Sequence, residues 1–134
     1  MSANVTEPRR RCITAPGAPG VVGPCVHAVI HGDTLFCSGA LPLDPDTEML
    51  VDGSLAEQTT QCLRNLAAVC EAAGTGLEQA LRTTIYTTDL DRFAEINDAY
   101  RDVFPNSPPA RVTVGVAALP KGAQVEIDAL VAVG

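Results

Sequence analysis

An α+β domain is what the 134-residue sequence predicts, and three observations carry it. Two apolar, strand-like runs flank Gly32-Asp33. A capped segment at helical spacing begins at Ser54. A second amphipathic segment lies between a β-branched run near residue 85 and two further apolar runs at the C-terminus. Hairpin, helix, strand, helix and two strands in that order describe a sheet with two helices packed on one face.

Residues 1–11 are polar, end in Arg9, Arg10 and Arg11, and are expected to be flexible. "APGAPGVVGP" (15–24) has neither helix nor ladder potential, so it lies on a surface or lines a site. In "VHAVIHGDTLFCSG" the Gly32-Asp33 pair suits a two-residue type II′ turn between two strands. Ser54 and Glu57 form an S-x-x-E capping box, and Leu55, Thr59, Cys62, Leu63, Leu66, Val69, Cys70 and Ala73 then recur at helical spacing up to Gly74. "ALRTTIYTTDL" alternates and is β-branched, hence a strand. Asp89 or Asp91 is placed to cap a second helix that buries Phe93, Ile96, Tyr100, Val103 and Phe104 and stops at Pro105. Asn97 shares that face, and a buried amide needs partners: it pins a loop's backbone or belongs to a site. "RVTVGVAALPKGAQVEIDALVAV" reads as two strands joined through Pro-Lys-Gly.

The length is that of one domain, 1–134, large enough to bury a core without disulfides. With 46% hydrophobic residues, 4% aromatic and no Trp, that core is aliphatic. A net charge of −7 and scattered basic residues give no stripe to neutralise phosphates, so nucleic acid is not the expected partner. No run approaches the roughly 20 apolar residues a membrane span needs, which points to a cytoplasmic protein. Five cysteines without a C-x-x-C pair or Cys/His spacing argue for reduced thiols rather than disulfides or a zinc site. Both sides of several strands are apolar while two helices cover only one, so the second sheet face is expected to be buried in an oligomer.

Chemistry gathers around "PPARVTV" (108–114), where a permanent cation heads a strand of small apolar residues. Alternation sets Arg111, Thr113 and Gly115 on one side and Val112, Val114 and Val116 on the other, while Glu126 and Asp128 share a face of the last strand. From spacing alone the favoured reading is a partly buried bridge between Arg111 and one of those carboxylates. The alternative makes Arg111 a bidentate clamp for a substrate carboxylate and leaves Glu126 to handle a proton.

"GPCVHAVIHGDTLFCSGALPLDP", "QTTQCLRNLAAVCEAAG", "TTIYTTDLDRFAEINDAY" and above all "PPARVTVGVAALPKGAQVEIDAL" resemble the Rid (YjgF-type) family of enamine/imine deaminases, from about residue 13 to the C-terminus. The resemblance implies a chorismate-mutase-like α+β fold and a homotrimer with a site in each cleft between subunits. It also implies hydrolysis of 2-aminoacrylate and related 2-imino acids, unstable products of pyridoxal-phosphate enzymes, to 2-keto acids and ammonia. No metal and no cofactor are implied. By the same resemblance Arg111 binds the substrate carboxylate, Glu126 serves the catalytic water, Asn97 and Ser38 lie at the site, and the Thr113 backbone receives the imine nitrogen. Cys25, Ala40 and Gly115 stand where archetypal members carry Tyr, Gln and Glu, which enlarges the pocket or changes its polarity. A Cys25 nucleophile with His27 or His31 as base is the rival to a pocket-lining Cys25, although nothing nearby would lower that thiol's pKa. Two other functions remain open: a pathway-specific relative that condenses, cyclises or tautomerises a larger imine or enol, and a non-catalytic module that binds small carboxylates. RNA cleavage fits this charge poorly.

Overall fold

The structure, a computed structural model, describes residues 9–134. Strands β1 (Arg11–Ile13), β2 (Ala28–His31), β3 (Thr34–Ala40), β4 (Ala80–Thr87), β5 (Ala110–Gly115) and β6 (Val125–Ala132) form one sheet ordered β1-β2-β3-β6-β4-β5. Only β4 and β5 run parallel; every other neighbouring pair is antiparallel. Helices α1 (Leu55–Ala72) and α2 (Phe93–Val103) pack against each other and over one face. The mixed α+β architecture expected from the sequence is therefore present.

Local chemistry explains the best-read elements. His31 pairs with Thr34 across Gly32-Asp33, and Gly32 has φ 63°, the sign a type II′ turn needs at its first position. At α1 the Glu57 N–H donates to Ser54 Oγ at 3.1 Å while the Ser54 N–H donates back to Glu57 Oε1 at 3.3 Å. That reciprocal cap silences two of the orphan donors of the first turn. The same helix ends in a Schellman motif: Gly74 has φ 81°, and the Thr75 N–H reaches the Cys70 carbonyl at 3.0 Å. Its buried stripe contains Leu55, Thr59, Cys62, Leu63, Leu66, Val69 and Cys70. These meet Leu35, Ile85, Ile96, Val125, Ile127 and Val131, each fully buried, where an aliphatic side chain contributes about 1.5–3 kcal/mol.

Three expectations need correction, and the strand order decides a point the sequence left open. Residue 11 is not part of a flexible segment but opens β1, which pairs with the free edge of β2; three residues are too few for a strand period to show in sequence. Residues 1–8 of that segment lie outside the described residues. Neither Asp89 nor Asp91 caps α2 with its side chain: a 3₁₀ turn over Leu90–Arg92 feeds the helix, and Asp89 instead forms an ion pair with Arg92 at 3.5 Å. Phe93, at the junction of that turn with α2, is 47% exposed rather than buried, while Ile96, Tyr100 and Phe104 are in the core as expected. The two C-terminal strands are not neighbours: β6 inserts between β3 and β4, and β5 becomes an outer edge. The reason is apolarity, since alternate β6 residues Val125, Ile127, Ala129 and Val131 are buried, so this strand loses least by being flanked on both sides.

The face away from the helices mixes apolar and polar groups. By alternation it carries Val29, Phe36, Leu130, Val112 and Val114 together with Thr84, Tyr86, Glu126 and Asp128. Phe36 and Val112 are each 47% exposed there. No helix among the described residues is long and apolar enough to cross a membrane.

Candidate functional site

Arg111 sits on the edge strand β5, in register with Thr83 of β4, and so points to the helix-covered side. There its guanidinium lies 5.0 Å from the centroid of the Tyr100 ring, a cation–π contact. Tyr100 is held in turn by a 2.7 Å hydrogen bond shared with Thr83 Oγ1 and by the Phe104 ring at 4.8 Å. Burial pushes the Tyr100 hydroxyl pKa up, with Thr83 and Arg111 opposing. Among the described residues Arg111 makes no ion pair; the side-chain bridges join Arg92 and Arg101 to carboxylates on or beside their own helix. An open cavity of about 330 Å³ adjoins it, lined by Asn97, Tyr100, Phe104, Pro108 and Pro109. Asn97 Oδ1 and Thr113 Oγ1 are both buried without a hydrogen-bond partner. Unsatisfied oxygens of this kind are rare in folded proteins, and Asn97 shares the cavity with a cation that has no ion pair among the described residues.

The loop-pinning role considered for Asn97 therefore belongs to another residue. Asn65 of α1 is buried, and its Nδ2 donates to the carbonyls of Leu41 and Leu43 at 2.9 Å each while Oδ1 accepts from Gln61. Sequence reasoning missed it, although its place beside the apolar stripe of α1 was the available signal.

A second cleft, of about 210 Å³, opens where the 15–24 loop crosses the end of β3 and approaches α1. Glu126, Ser38 and Cys25 line it. Glu126 lies over Gly39, so closely that a Cβ at 39 would sit 2.5 Å from Oε2 and force the carboxyl aside. Desolvation, with Asp128 second, raises the Glu126 pKa above the ordinary carboxylate value, the direction that suits a carboxyl to proton exchange. Asp128 itself accepts from the Tyr86 hydroxyl at 3.0 Å. Ser38 Oγ donates to the Val26 carbonyl at 2.6 Å, and Cys25 Sγ contacts the Val22 carbonyl at 3.5 Å. His27 Nδ1 accepts from the Ala15 N–H at 3.0 Å, so Nε2 carries the proton and donates to the Pro19 carbonyl at 2.7 Å. With both nitrogens engaged, His27 is no base for Cys25; it fastens the loop that forms the cleft wall. His31, at the β2 turn, is absent from the cleft lining.

The two clefts do not meet within one chain. β4 separates β5 from β6, about 10 Å between their axes. Arg111 shares a row with Thr83 and Ala129, whereas Glu126 is opposite Tyr86, three positions or about 10 Å along the strand. Alternation also puts them on opposite faces. The bridge between Arg111 and Glu126 or Asp128, favoured from spacing, is overturned by this strand order. Among the described residues no three His, Cys, Asp or Glu side chains cluster as a metal site would require.

Comparison with known proteins identifies the family and the fold. A family model described as Endoribonuclease L-PSP matches residues 15–133. The chain is 48% identical over 119 residues to the RutC family protein y4sK of Sinorhizobium fredii, covering 89% of this chain and 94% of that protein. It is 38% identical over 121 residues to the human 2-iminobutanoate/2-iminopropanoate deaminase, covering 90% and 88% respectively. Among solved structures, E. coli TdcF with bound serine superposes with a TM-score of 0.87 at 34% identity, over 92% of this chain and 99% of that one.

Proposed function

Because the chain belongs to the Rid (YjgF-type) family, we propose that it is a single-domain hydrolase of 2-imino acids, acting in a site assembled between copies of itself as a homotrimer. The reaction is R–C(=NH)–COO⁻ + H₂O → R–C(=O)–COO⁻ + NH₃. The observation that carries the reading is the division of labour between faces: a guanidinium with no ion pair among the described residues on one side, and a half-buried carboxyl with a raised pKa on the other. Neither half suffices alone, and the exposed apolar residues of the uncovered sheet face supply surface by which a second copy would bring them together.

Arg111 takes the substrate carboxylate in its fork, braced by the Tyr100 ring. Outward main-chain groups of the β5 edge near Thr113, with Asn97 beside them, receive the imine N–H. From the other copy, Glu126 as carboxylate takes a proton from water as its oxygen attacks the imine carbon and passes it to nitrogen, giving a carbinolamine; the carbinolamine hydroxyl proton then reaches nitrogen by the same carboxylate as the C–N bond breaks and ammonia leaves. Ser38 and Cys25 line the approach. Imines hydrolyse unaided, so positioning and acid/base help of about 10²–10⁴ are enough. An RNA substrate is disfavoured by the net charge of −7. The RutC-named relative at 48% identity leaves the specific substrate open, and a pathway-specific imine or enol held by the same clamp is the second reading. A clamp that held a keto acid without turnover would be a binding module instead.

Mixing two inactive variants tests the shared site. Arg111→Ala and Glu126→Gln chains, unfolded together and refolded at equal ratio, should regain about a quarter of the wild-type ammonia release from 2-iminopropanoate, since one neighbouring pair in four joins two intact halves. No regain, with co-assembly verified by tagged chains, would place both groups in separate roles.

A further inference from the structure

The Glu126 cleft is unusual in what it offers a ligand. Four polar side chains besides Glu126 line it, and each is already engaged by the fold. Ser38 is bonded to Val26, Cys25 contacts Val22, His27 spans Ala15 and Pro19, and Asn65 holds Leu41 and Leu43 while accepting from Gln61. The remaining side chains of the wall are apolar. Two of them, Val21 and Val22, are 42% and 48% exposed on a Gly/Pro loop that the His27 ring fastens over the cleft. The volume of about 210 Å³ is large beside the roughly 30 Å³ that one water takes up in the liquid. A methyl group would leave most of this space as water against apolar walls.

We infer that this cleft receives a leucine-sized apolar side chain, so that the preferred substrate is a 2-imino acid with a branched aliphatic group rather than 2-iminopropanoate. The inference rests on the imine-hydrolysis reading above and names the substrate class for that site. Glu126 stands at the reacting carbon, and the cleft beyond it, between the Val21-Val22 loop and α1, takes the side chain. Burial of apolar surface then discriminates, at about fourfold in kcat/KM per methylene. A polar side chain of the same shape meets mainly apolar walls and side chains the fold already engages, and is disfavoured.

The test is a side-chain series with the wild-type protein. Imines are generated in situ from alanine, leucine and asparagine with an L-amino-acid oxidase, and their hydrolysis is followed in competition with semicarbazide trapping. Asparagine is the polar near-isostere of leucine, so size and polarity separate. The leucine-derived imine should exceed the alanine-derived one by at least about tenfold in kcat/KM, with up to ~60-fold available from three methylene equivalents. It should exceed the asparagine-derived imine as well. Val22→Trp, which fills the cleft from its exposed loop, should reduce the leucine-to-alanine ratio at least tenfold. Preference for the alanine-derived imine, or equal rates for the leucine and asparagine imines, overturns this inference while leaving imine hydrolysis in place. An unchanged ratio in Val22→Trp overturns the assignment of the cleft. Hydrolysis of none of the three removes the underlying reading and the inference with it.

Discussion

Replacing Arg111 separates a structural cation from one kept for a ligand. In the folded chain its recorded partner is the Tyr100 ring at 5.0 Å, a contact worth about 0.5–1 kcal/mol at an exposed site. Arg111→Ala should therefore lower the unfolding free energy by no more than about 1 kcal/mol. The catalytic loss should be much larger. Two charge-assisted hydrogen bonds to a substrate carboxylate contribute about 1.5–3 kcal/mol each, so kcat/KM should fall by roughly 10²–10⁴. Arg111→Lys keeps the charge but not the fork; losing one of the two bonds predicts a fall of about 10–150-fold. Urea unfolding and the kcat/KM for an in-situ imine, measured on all three proteins, give both numbers. Activity of Arg111→Ala within threefold of wild type would refute the clamp, and a destabilisation beyond about 2 kcal/mol would reveal an internal partner for the cation.

Glu126→Gln should reduce turnover by about 10²–10⁴, read as keto-acid formation. Because burial raises the Glu126 pKa, the folded state holds its proton better than the unfolded chain does. Stability from this group is therefore full below the ordinary carboxylate range and is lost as pH rises through the folded value, and Glu126→Gln should flatten that decline in a pH series of Tm. Asn65→Ala strips two buried carbonyls of their donor and should cost about 2–4 kcal/mol in chemical denaturation. A thiol reagent should modify exposed Cys12 and Cys25 quickly in the native protein, and buried Cys37, Cys62 and Cys70 only on unfolding, giving two fast and three slow thiols.

Legibility followed the range of each interaction. The capping box at Ser54, the Schellman glycine at 74 and the Gly32 turn are decided by residues a few positions apart, and the sequence displayed them. Strand order is decided by pairings dozens of residues apart, so the insertion of β6 between β3 and β4 was invisible, and with it the separation of Arg111 from Glu126. The Rid resemblance implied a site shared between subunits; in the chain itself Arg111 and Asn97 line one cleft and Glu126, Ser38 and Cys25 the other, while Thr113 lines neither. Buried amides show the same limit: Asn65 and Asn97 occupy similar positions beside apolar stripes, and only the packed loop at 41–43 distinguishes a satisfied group from an orphan.

The placement of the cation and the carboxyl on opposite sides of one sheet has a consequence for how output depends on abundance. Under the proposed shared site, a freshly made chain completes its interior by itself yet is catalytically blank until it encounters its siblings. Turnover in a dilute cell would then climb more steeply than copy number, and a weak allele would be silenced first by scarcity, long before its chains lost their shape.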